Sequence, residues 1–504
     1  MGTSTAAKLP VESVRARETA IALGNGIKMG ASLVVTWSVA IIVKLQVPAH
    51  LGPVRQGHFG FAESFAAMFF ATLGLGVDTY IAKEVAVRPK HASDLVGGVF
   101  ALRVVISFFL LAIMAVVLWA TGRSTEIQLA VLVFGVANLL TAINGTLGVV
   151  LNTTPRVAAA AASNISAKVL WGLGLLVALH FDAPLAVLAL PMLVGEILRV
   201  SVMIPATRRA ADLQFRIDPP AVRVALFESV PFFVNSLALG VLSSLGMSVL
   251  EFVRVDEREV GWFASVQNLA YLCVLLTPLL GWVVMPLLSR AFARSEDEGL
   301  LVFRRALEGL VVTIVPMTVL ISAGSDVLIR AAFGPRYAPA ALGLSILSLV
   351  FVMTYMNTML AMALIIMKRG WSVTFISITA VFITASLMLV LVPLGRRLVG
   401  EGGECAGASA SVILSEACVL VAMLTRFRRF PLDSRNLRVL AKSVALGLVI
   451  LLLDHQLRQF GPVRLALDAA LYVALAFAIG VVRFSELGRL LALLRSRGRE
   501  LPVR

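Results

Sequence analysis

The stretch LGPVRQGHFGFAESF, residues 51–65, separates two long apolar segments of the chain. It contains one proline and three glycines, which are typical of a turn, and it is polar around Arg55. The apolar pattern then resumes, with Glu63 about one helical turn inside the second segment. We therefore predict an outer hairpin over Leu51–Gly60 that joins two membrane helices, with Glu63 as a carboxylate inside the second helix.

The composition is that of a membrane protein. Of 504 residues, 59% are hydrophobic and 14% are charged, and the mean hydropathy is +0.93. Soluble proteins contain about 25% charged residues, whereas a membrane helix needs about 20 consecutive apolar residues. Because such runs recur along the whole chain, we predict an all-α polytopic membrane protein.

Apolar windows predict fourteen transmembrane spans. They lie near residues 26–48, 58–86, 95–120, 126–151, 157–180, 184–206, 222–250, 259–288, 302–324, 338–367, 371–394, 404–425, 437–454 and 464–482. These spans predict a cytoplasmic N-terminal segment (1–25), an N-lobe of six helices (26–206), a basic linker (207–221), a C-lobe of six helices (222–425), helices 13 and 14 (426–482) and a basic tail (483–504).

Basic residues are unevenly distributed between the two sides. The predicted outer loops contain 10 of the 44 Lys and Arg and the spans contain five, which leaves 29 on the other side. The positive-inside rule then predicts that both termini are cytoplasmic. The net charge of +15 indicates this topology and an attraction to anionic membrane lipids. No soluble basic module with interleaved aromatic residues is present, so we expect no nucleic-acid partner.

Two internal similarities relate the first six spans to the next six. GHFGFAESF (57–65) matches GWFASVQNL (261–269), which places Glu63 opposite Gln267. NGTLGVVLNTTPR (144–156) matches NTMLAMALIIMKR (357–369). Since secondary transporters often contain such repeats, we predict two pseudo-symmetric six-helix lobes. Helices 13 and 14, with charges only at their ends, are predicted to be packing or lipid-groove helices.

Motifs of several enzyme classes are missing from the sequence. It contains no G-x-x-x-x-G-K-[ST] and no H-E-x-x-H. Its three cysteines suggest neither a disulfide framework nor a metal site. The predicted outer loops are short, whereas a membrane glycosyltransferase needs a loop that holds an acceptor and a general base. We therefore expect a transporter rather than an enzyme, with no cofactor beyond a coupling ion, H⁺ or Na⁺.

Three cations lie within the predicted spans and are candidates for binding an anionic substrate. An unpaired charge at membrane depth costs at least about 2.5 kcal/mol, so it is a functional candidate. Lys168 lies near the midplane of span 5, where it either lines a water-filled cavity or belongs to a structural ion pair. Arg103 in span 3 and Lys44 at the outer end of span 1 either have such a role or extend toward the interface.

Four intramembrane carboxylates are candidates for cavity lining or ion coupling: Glu63, Asp78, Glu228 and Glu416. Asp78 follows Glu63 on the same predicted helix, about 60° further around the axis, so both would face one cavity. The alternative is that Asp78 pairs with Lys83 or with a basic group of a neighbouring helix.

The other two carboxylates have less sequence context. Glu228 precedes Pro231, and a proline frees a backbone carbonyl that would suit a proton or Na⁺ site. Glu416 lies in the middle of span 12. By contrast, Glu196 and Arg199 are spaced i,i+3 and are predicted to pair with each other.

Five segments, in this order and spacing, resemble a known family. They are LGPVRQGHFGFAESF (51–65), GLGVDTYIAKEVA (74–86), REVGWFASVQNLAYL (258–272), MPLLSRAF (285–292) and FGPRYAPAALGLSIL (333–347). From about residue 24 to 430 the chain resembles the O-antigen-type polysaccharide flippases of the multidrug/oligosaccharidyl-lipid/polysaccharide exporter superfamily.

The resemblance implies a function and a role for the intramembrane cations. Flippases of this family move undecaprenyl-pyrophosphate-linked glycans across the bacterial cytoplasmic membrane by alternating access, and polysaccharide polymerase and chain-length proteins are expected partners. Lys168, Arg103 and Lys44 would then contact the pyrophosphate through charge-assisted hydrogen bonds. This chain departs from the family in span 7, where SSLGMSVLEF has Glu251 only at its outer end.

Three other functions stay open on the sequence alone. A drug or cation antiporter of the same fold would have a cavity rich in acidic residues and poor in cations. A flippase for a peptidoglycan-precursor lipid would bind the same kind of phosphate group. A membrane enzyme of glycan assembly is the alternative from a different class.

Overall fold

The computed structural model describes residues 11–74, 76–78, 80–81, 84, 92–152, 157–211, 216–253, 256–272, 274 and 277–480. Within these ranges the chain forms helices and no strand. The predicted basic tail (483–504), the first ten residues of the predicted N-terminal segment and part of the predicted linker (207–221) lie outside the described residues.

Long apolar helices make up the first half of the chain. They are α1 (Val11–Phe70), α2 (Ala92–Ala120), α3 (Thr125–Asn152), α4 (Val157–His180), α5 (Leu185–Ala211) and α6 (Pro219–Phe252). A short 3₁₀ turn, Ala71–Gly74, follows α1.

The second half of the chain begins with helices that are shorter than those of the first half. They are α7 (Glu257–Leu272), α8 (Thr277–Arg294), α9 (Glu296–Ala323), α10 (Ser325–Phe333), α11 (Ala341–Leu347), α12 (Val350–Ile366), α13 (Gly370–Val399), α14 (Gly403–Leu424), α15 (Ser434–Leu457) and α16 (Arg464–Ala478). The 3₁₀ turns Pro335–Ala340 and Arg458–Val463 connect α10 to α11 and α15 to α16.

Eleven segments of the described chain are long and apolar enough to cross a membrane. Two of them, Ser32–Gly74 and Ser434–Ala478, contain 43 and 45 residues, enough for two crossings each. Each contains a break, at Gly52 or at the 3₁₀ turn before α16. Exposed side chains such as Phe108 and Trp119 give these helices apolar outer faces. The prediction of an all-α polytopic membrane fold is confirmed.

The predicted hairpin over Leu51–Gly60 is wrong in its extent. Only Gly52 has a non-helical backbone there, with φ 71° and ψ 170°, and α1 continues as a helix to Phe70. Glycine accepts this positive φ at little steric cost. Gly57 instead lies within the helix, where a Cβ atom would come 2.9 Å from the Glu257 carbonyl oxygen and 3.0 Å from the Gly261 nitrogen. Gly57 therefore serves close helix packing rather than a turn.

The described chain forms two compact units. The first contains Met1–Leu51 and His58–Ser244, and the second contains Gly52–Gly57 and Leu245–Arg504. The core of the first unit includes the fully buried side chains of Phe61 and Phe134, among others. Hydrophobic side chains of α8, α9 and α12–α16 form the core of the second unit, which includes the buried Phe303.

Candidate functional site

An asparagine–glutamate pair recurs at corresponding places in the two units. In the first unit the Asn144 Nδ2 group donates to the Glu196 carboxylate at 2.6 Å and to the Glu196 carbonyl at 3.1 Å. In the second unit Asn357 makes the same two hydrogen bonds to Glu416, again at 2.6 and 3.1 Å. Because Asn144 and Asn357 are the first residues of the second internal similarity, this geometry supports the predicted repeat.

Glu196 of the first unit's pair lines a cavity of about 110 Å³. The cavity is lined by Glu63 from α1, Asn164, Ala167, Lys168 and Trp171 from α4, and Met192, Gly195 and Glu196 from α5. Charged side chains from three different helices therefore meet at one place inside the membrane-spanning region. Two of the residues predicted from the sequence, Lys168 and Glu63, line this same cavity.

Lys168 is the central cation of the cavity. Its ammonium group lies 3.7 Å from the centroid of the Trp171 ring, a cation–π contact that holds the side chain in place. Glu63 and Glu196 attract the ammonium group electrostatically and Lys44 repels it. Of the two alternatives that the sequence left open, the structure places Lys168 at a cavity, and no ion pair of Lys168 is present among the described residues.

Gly195 has no side chain beyond hydrogen, which lets α4 and α5 approach each other closely at the cavity. A Cβ atom at Gly195 would lie 2.8 Å from the Ala167 carbonyl oxygen, closer than such atoms approach in proteins. Small residues allow this kind of close crossing between membrane helices. Lys168 and Glu196 are the next residues along α4 and α5, and both line the cavity next to this crossing.

The charge balance of this group is slightly positive. The carboxylate of Glu196 lies 3.8 Å from the Arg199 guanidinium, so the predicted i,i+3 pair is confirmed. With Lys168 and Lys44 the group contains three cations, and with Glu63 it contains two carboxylates. Of these cations Lys168 lines the cavity, together with the Trp171 indole, whereas Lys44 and Arg199 are not among the lining residues. An ammonium group in such a space can bind a phosphate oxygen.

Arg103 lies elsewhere, fully buried and in an ion pair with the partly exposed Asp78. Its guanidinium contacts the Asp78 carboxylate at 3.1 Å and donates to the carbonyl oxygens of Leu73 and Ala142 at 2.9 and 2.6 Å. Thr146 accepts a further hydrogen bond from Arg103 and donates to Asp78 at 2.6 Å. These contacts hold α2 and α3 to the end of α1. Of the two alternatives for Asp78, the structure gives pairing with a basic group of a neighbouring helix, and Arg103 does not line the cavity.

The remaining predicted residues are dispersed. Glu228 is exposed on α6, away from the residues that line the cavity. Glu416 belongs to the second unit, where Tyr271 hydrogen-bonds Gln267 and lies within electrostatic range of Glu416. None of the residues of this second group, Gln267, Tyr271, Asn357 and Glu416, is a cation. The roles of Glu228 and Glu416 in ion coupling stay predictions.

Sequence reasoning missed several residues of these groups. Trp171 is spaced i,i+3 from Lys168, which places the two on one helical face, and this spacing was the available signal. In the sequence, Asn144 and Asn357 are visible only as identical residues at the start of the second internal similarity. Among the described residues no three His, Cys, Asp or Glu side chains are grouped as a metal site requires.

Comparison with solved structures shows which proteins share this fold. The lipid II flippase MurJ in an inward closed conformation matches with a TM-score of 0.68 and 11% identity, over 90% of this chain and 100% of MurJ. An inward-facing multidrug resistance MATE family transporter of the MOP superfamily matches with a TM-score of 0.58 and 14% identity, over 77% of this chain and 98% of its own. A mutant of the Vibrio cholerae MATE transporter VcmN matches with a TM-score of 0.54 and 13% identity, over 81% and 98%.

No family model and no curated protein matches the sequence. At 11–14% identity the structural likeness concerns the fold. The chain therefore has the fold shared by MATE transporters and the MurJ flippase.

Proposed function

We propose that this protein is a flippase that moves a lipid-pyrophosphate-linked glycan across the bacterial cytoplasmic membrane by alternating access. The observation that carries the proposal is the cavity around Lys168, to which the middle of a membrane helix contributes a half-buried cation. A cavity of about 110 Å³ suits a small group such as a phosphate rather than a saccharide chain. The ammonium groups of Lys168 and Lys44 would bind the phosphate oxygens.

The difference between the two units supports an anionic substrate. Both units have the same asparagine–glutamate pair. Among the described residues the group of Gln267, Tyr271, Asn357 and Glu416 includes no cation, whereas Lys168 lines the same cavity as Glu196 and Arg199 pairs with Glu196. A buried lysine without a functional ligand is costly at membrane depth. The match to MurJ, which extends over a larger share of this chain than the MATE matches, also favours a lipid-linked substrate.

Reconstitution tests this proposal. The purified protein is placed in proteoliposomes with a fluorescent lipid-pyrophosphate-linked oligosaccharide, and transfer between leaflets is followed by quenching from outside. We expect flipping by the wild type and by Lys442→Gln, which removes an exposed lysine that donates to the Ile479 carbonyl. Lys168→Gln should flip much more slowly. Equal rates for Lys168→Gln and Lys442→Gln would contradict the role of the cavity, and absence of flipping by the wild type would contradict the function.

A drug or cation antiporter is the second candidate. The observation that favours it is the composition of the same cavity, since the Glu63 and Glu196 carboxylates and the Trp171 ring are groups that bind organic cations. The two candidates predict opposite effects of charge at Lys168. If the substrate is an organic cation, Lys168→Gln should increase its transport, and Glu63→Gln should decrease it.

A further inference from the structure

The C-terminal helices contain a buried group of charges that the proposed transport path does not use. Asp454 near the end of α15 is 4% exposed, Arg464 at the start of α16 is 2% exposed, and Asp468 one turn later is 0% exposed. The sequence suggests only end charges on these two helices. The structure instead buries the end charges against each other.

A single guanidinium serves several acceptors in this group. The Arg464 Nε atom lies 2.8 Å from the Asp454 carboxylate, and Nη2 donates to the Ala323 carbonyl at 3.2 Å and contacts the Asp326 carboxylate. Arg464 is therefore shared between Asp454, Asp326 and the end of α9. It also attracts Asp468 electrostatically, but no hydrogen bond joins the two side chains in the described structure.

Asp468 has a different environment from the other two carboxylates. Both of its carboxylate oxygens are buried and have no hydrogen-bond donor in the described structure. Asp468 lies one helical turn after Arg464, whose guanidinium contacts Asp454, so the two carboxyls belong to the same buried group. The Asp454 carboxylate is itself an acceptor when ionised and supplies no donor to Asp468. Two ionised carboxylates in this position would repel each other inside a poorly solvated interior.

Within the described part of the chain, the other charged residues close to this group in sequence are exposed or add negative charge. On α15 and the 3₁₀ turn before α16, the nearby ionisable residues His455 and Arg458 are exposed. On α10, Arg330 is exposed as well, and Asp326 adds a third negative charge. Arg464 alone cannot neutralise three carboxylates. A proton between Asp454 and Asp468 would supply the missing donor and remove one charge.

We propose that Asp454 and Asp468 form a proton-binding site that holds one shared proton in the folded protein and fastens α16 to α15. The proton joins the two carboxyls by a hydrogen bond, and Arg464 neutralises the charge that remains on the pair. Loss of the proton leaves three carboxylates around one guanidinium and weakens the packing of the C-terminal hairpin. The site lies apart from the Lys168 cavity and does not rest on the proposed substrate.

Unfolding of the full chain in detergent at a series of pH values tests the site. Above the pH at which ordinary carboxyls ionise, the folded protein holds one proton that the unfolded chain has released. The unfolding equilibrium constant should therefore increase with pH, by up to about tenfold per pH unit. Asp468→Asn, whose amide supplies a permanent donor to Asp454, should remove this contribution and unfold less readily than the wild type at high pH. Asp326→Asn, which removes a half-exposed carboxylate from the same guanidinium, should keep the dependence.

An infrared measurement reads the proton directly. A protonated carboxyl has a carbonyl stretching band that a carboxylate lacks. At neutral pH we expect this band in the wild type and in Asp326→Asn, and we expect the part of it due to the pair to be absent from Asp468→Asn and from Asp454→Asn. Wild-type and Asp468→Asn proteins with the same pH dependence of unfolding and the same carboxyl bands would overturn the proposal. If Asp468→Asn does not fold, the infrared comparison of the wild type with Asp454→Asn still tests the proposal.

Discussion

Replacement of Gly261 by alanine should destabilise the protein, because the new methyl group in α7 displaces the backbone of α1 at Pro53. A Cβ atom at Gly261 would lie 1.7 Å from the Pro53 carbonyl oxygen and 2.5 Å from its carbon. Since Cβ atoms in proteins essentially never approach another atom within 3.0 Å, the contact has to lengthen from 1.7 Å to at least 3.0 Å. The atom that it meets belongs to the backbone, so a side-chain rotation cannot relieve the clash.

The cost can be separated from the helix-forming effect of alanine by a matched variant. Gly309 also lies inside a helix, α9, and a Cβ atom there meets nothing within 4 Å. Both substitutions gain about 1 kcal/mol of helix propensity, whereas overpacking at Gly261 costs about 1–3 kcal/mol. We therefore expect Gly261→Ala to be less stable than Gly309→Ala by about 1–3 kcal/mol.

Thermal unfolding of the purified variants in detergent measures this difference. Gly57→Ala should fall between the two, because its Cβ atom would lie 2.9 Å from the nearest backbone oxygen and needs a shift of only a few tenths of an ångström. The expected order of stability is Gly309→Ala, then Gly57→Ala, then Gly261→Ala. Equal unfolding temperatures for Gly309→Ala and Gly261→Ala would refute the close packing of α1 on α7.

Three further substitutions test the polar groups of the structure. Arg103→Gln should lower the free energy of unfolding by about 1–3 kcal/mol in denaturant titrations, because it removes the ion pair of the partly exposed Asp78 and the donor to two backbone carbonyl oxygens, and the absence of a measurable loss would contradict the ion pair. Asn144→Ala and Asn357→Ala should each cost about 1–3 kcal/mol in the same assay, because each leaves a carboxylate without its amide donor, and an effect of only one of them would argue against equivalent positions. Gly195→Ala, which separates α4 and α5 at the cavity, should reduce the flipping rate more than Gly309→Ala, which introduces no clash. Equal flipping rates of the two variants would show that the cavity tolerates the displacement.

Much of the fold is predictable from the sequence because membrane helices are encoded by runs of apolar residues. The long helices lie close to the predicted spans, and the repeat that sequence similarity suggested has a counterpart in the two asparagine–glutamate pairs. The turn at residues 51–60 was overestimated for a physical reason. A glycine is compatible both with a turn and with close helix packing, so the sequence around Gly57 could not distinguish the two.

The polar groups were less predictable because their meaning depends on neighbours from distant segments. Lys168 and Glu63 could be singled out by charge and depth alone, and they do line one cavity. Arg103 is chemically just as suited to phosphate, but its position beside Asp78 and Thr146 is decided by the packing of three helices. Asp468 lies near a helix end, and hydropathy windows do not show that it is fully buried.

The central claim is that Lys168 binds the phosphate of a lipid-linked substrate. Equilibrium binding of a lipid-pyrophosphate-linked oligosaccharide to wild type, Lys168→Gln and the control Lys442→Gln tests it most directly. A hydrogen bond to a charged group contributes about 1.5–3 kcal/mol, so the account predicts that Lys168→Gln weakens binding by roughly 10- to 150-fold. Wild-type affinity in Lys168→Gln would contradict it.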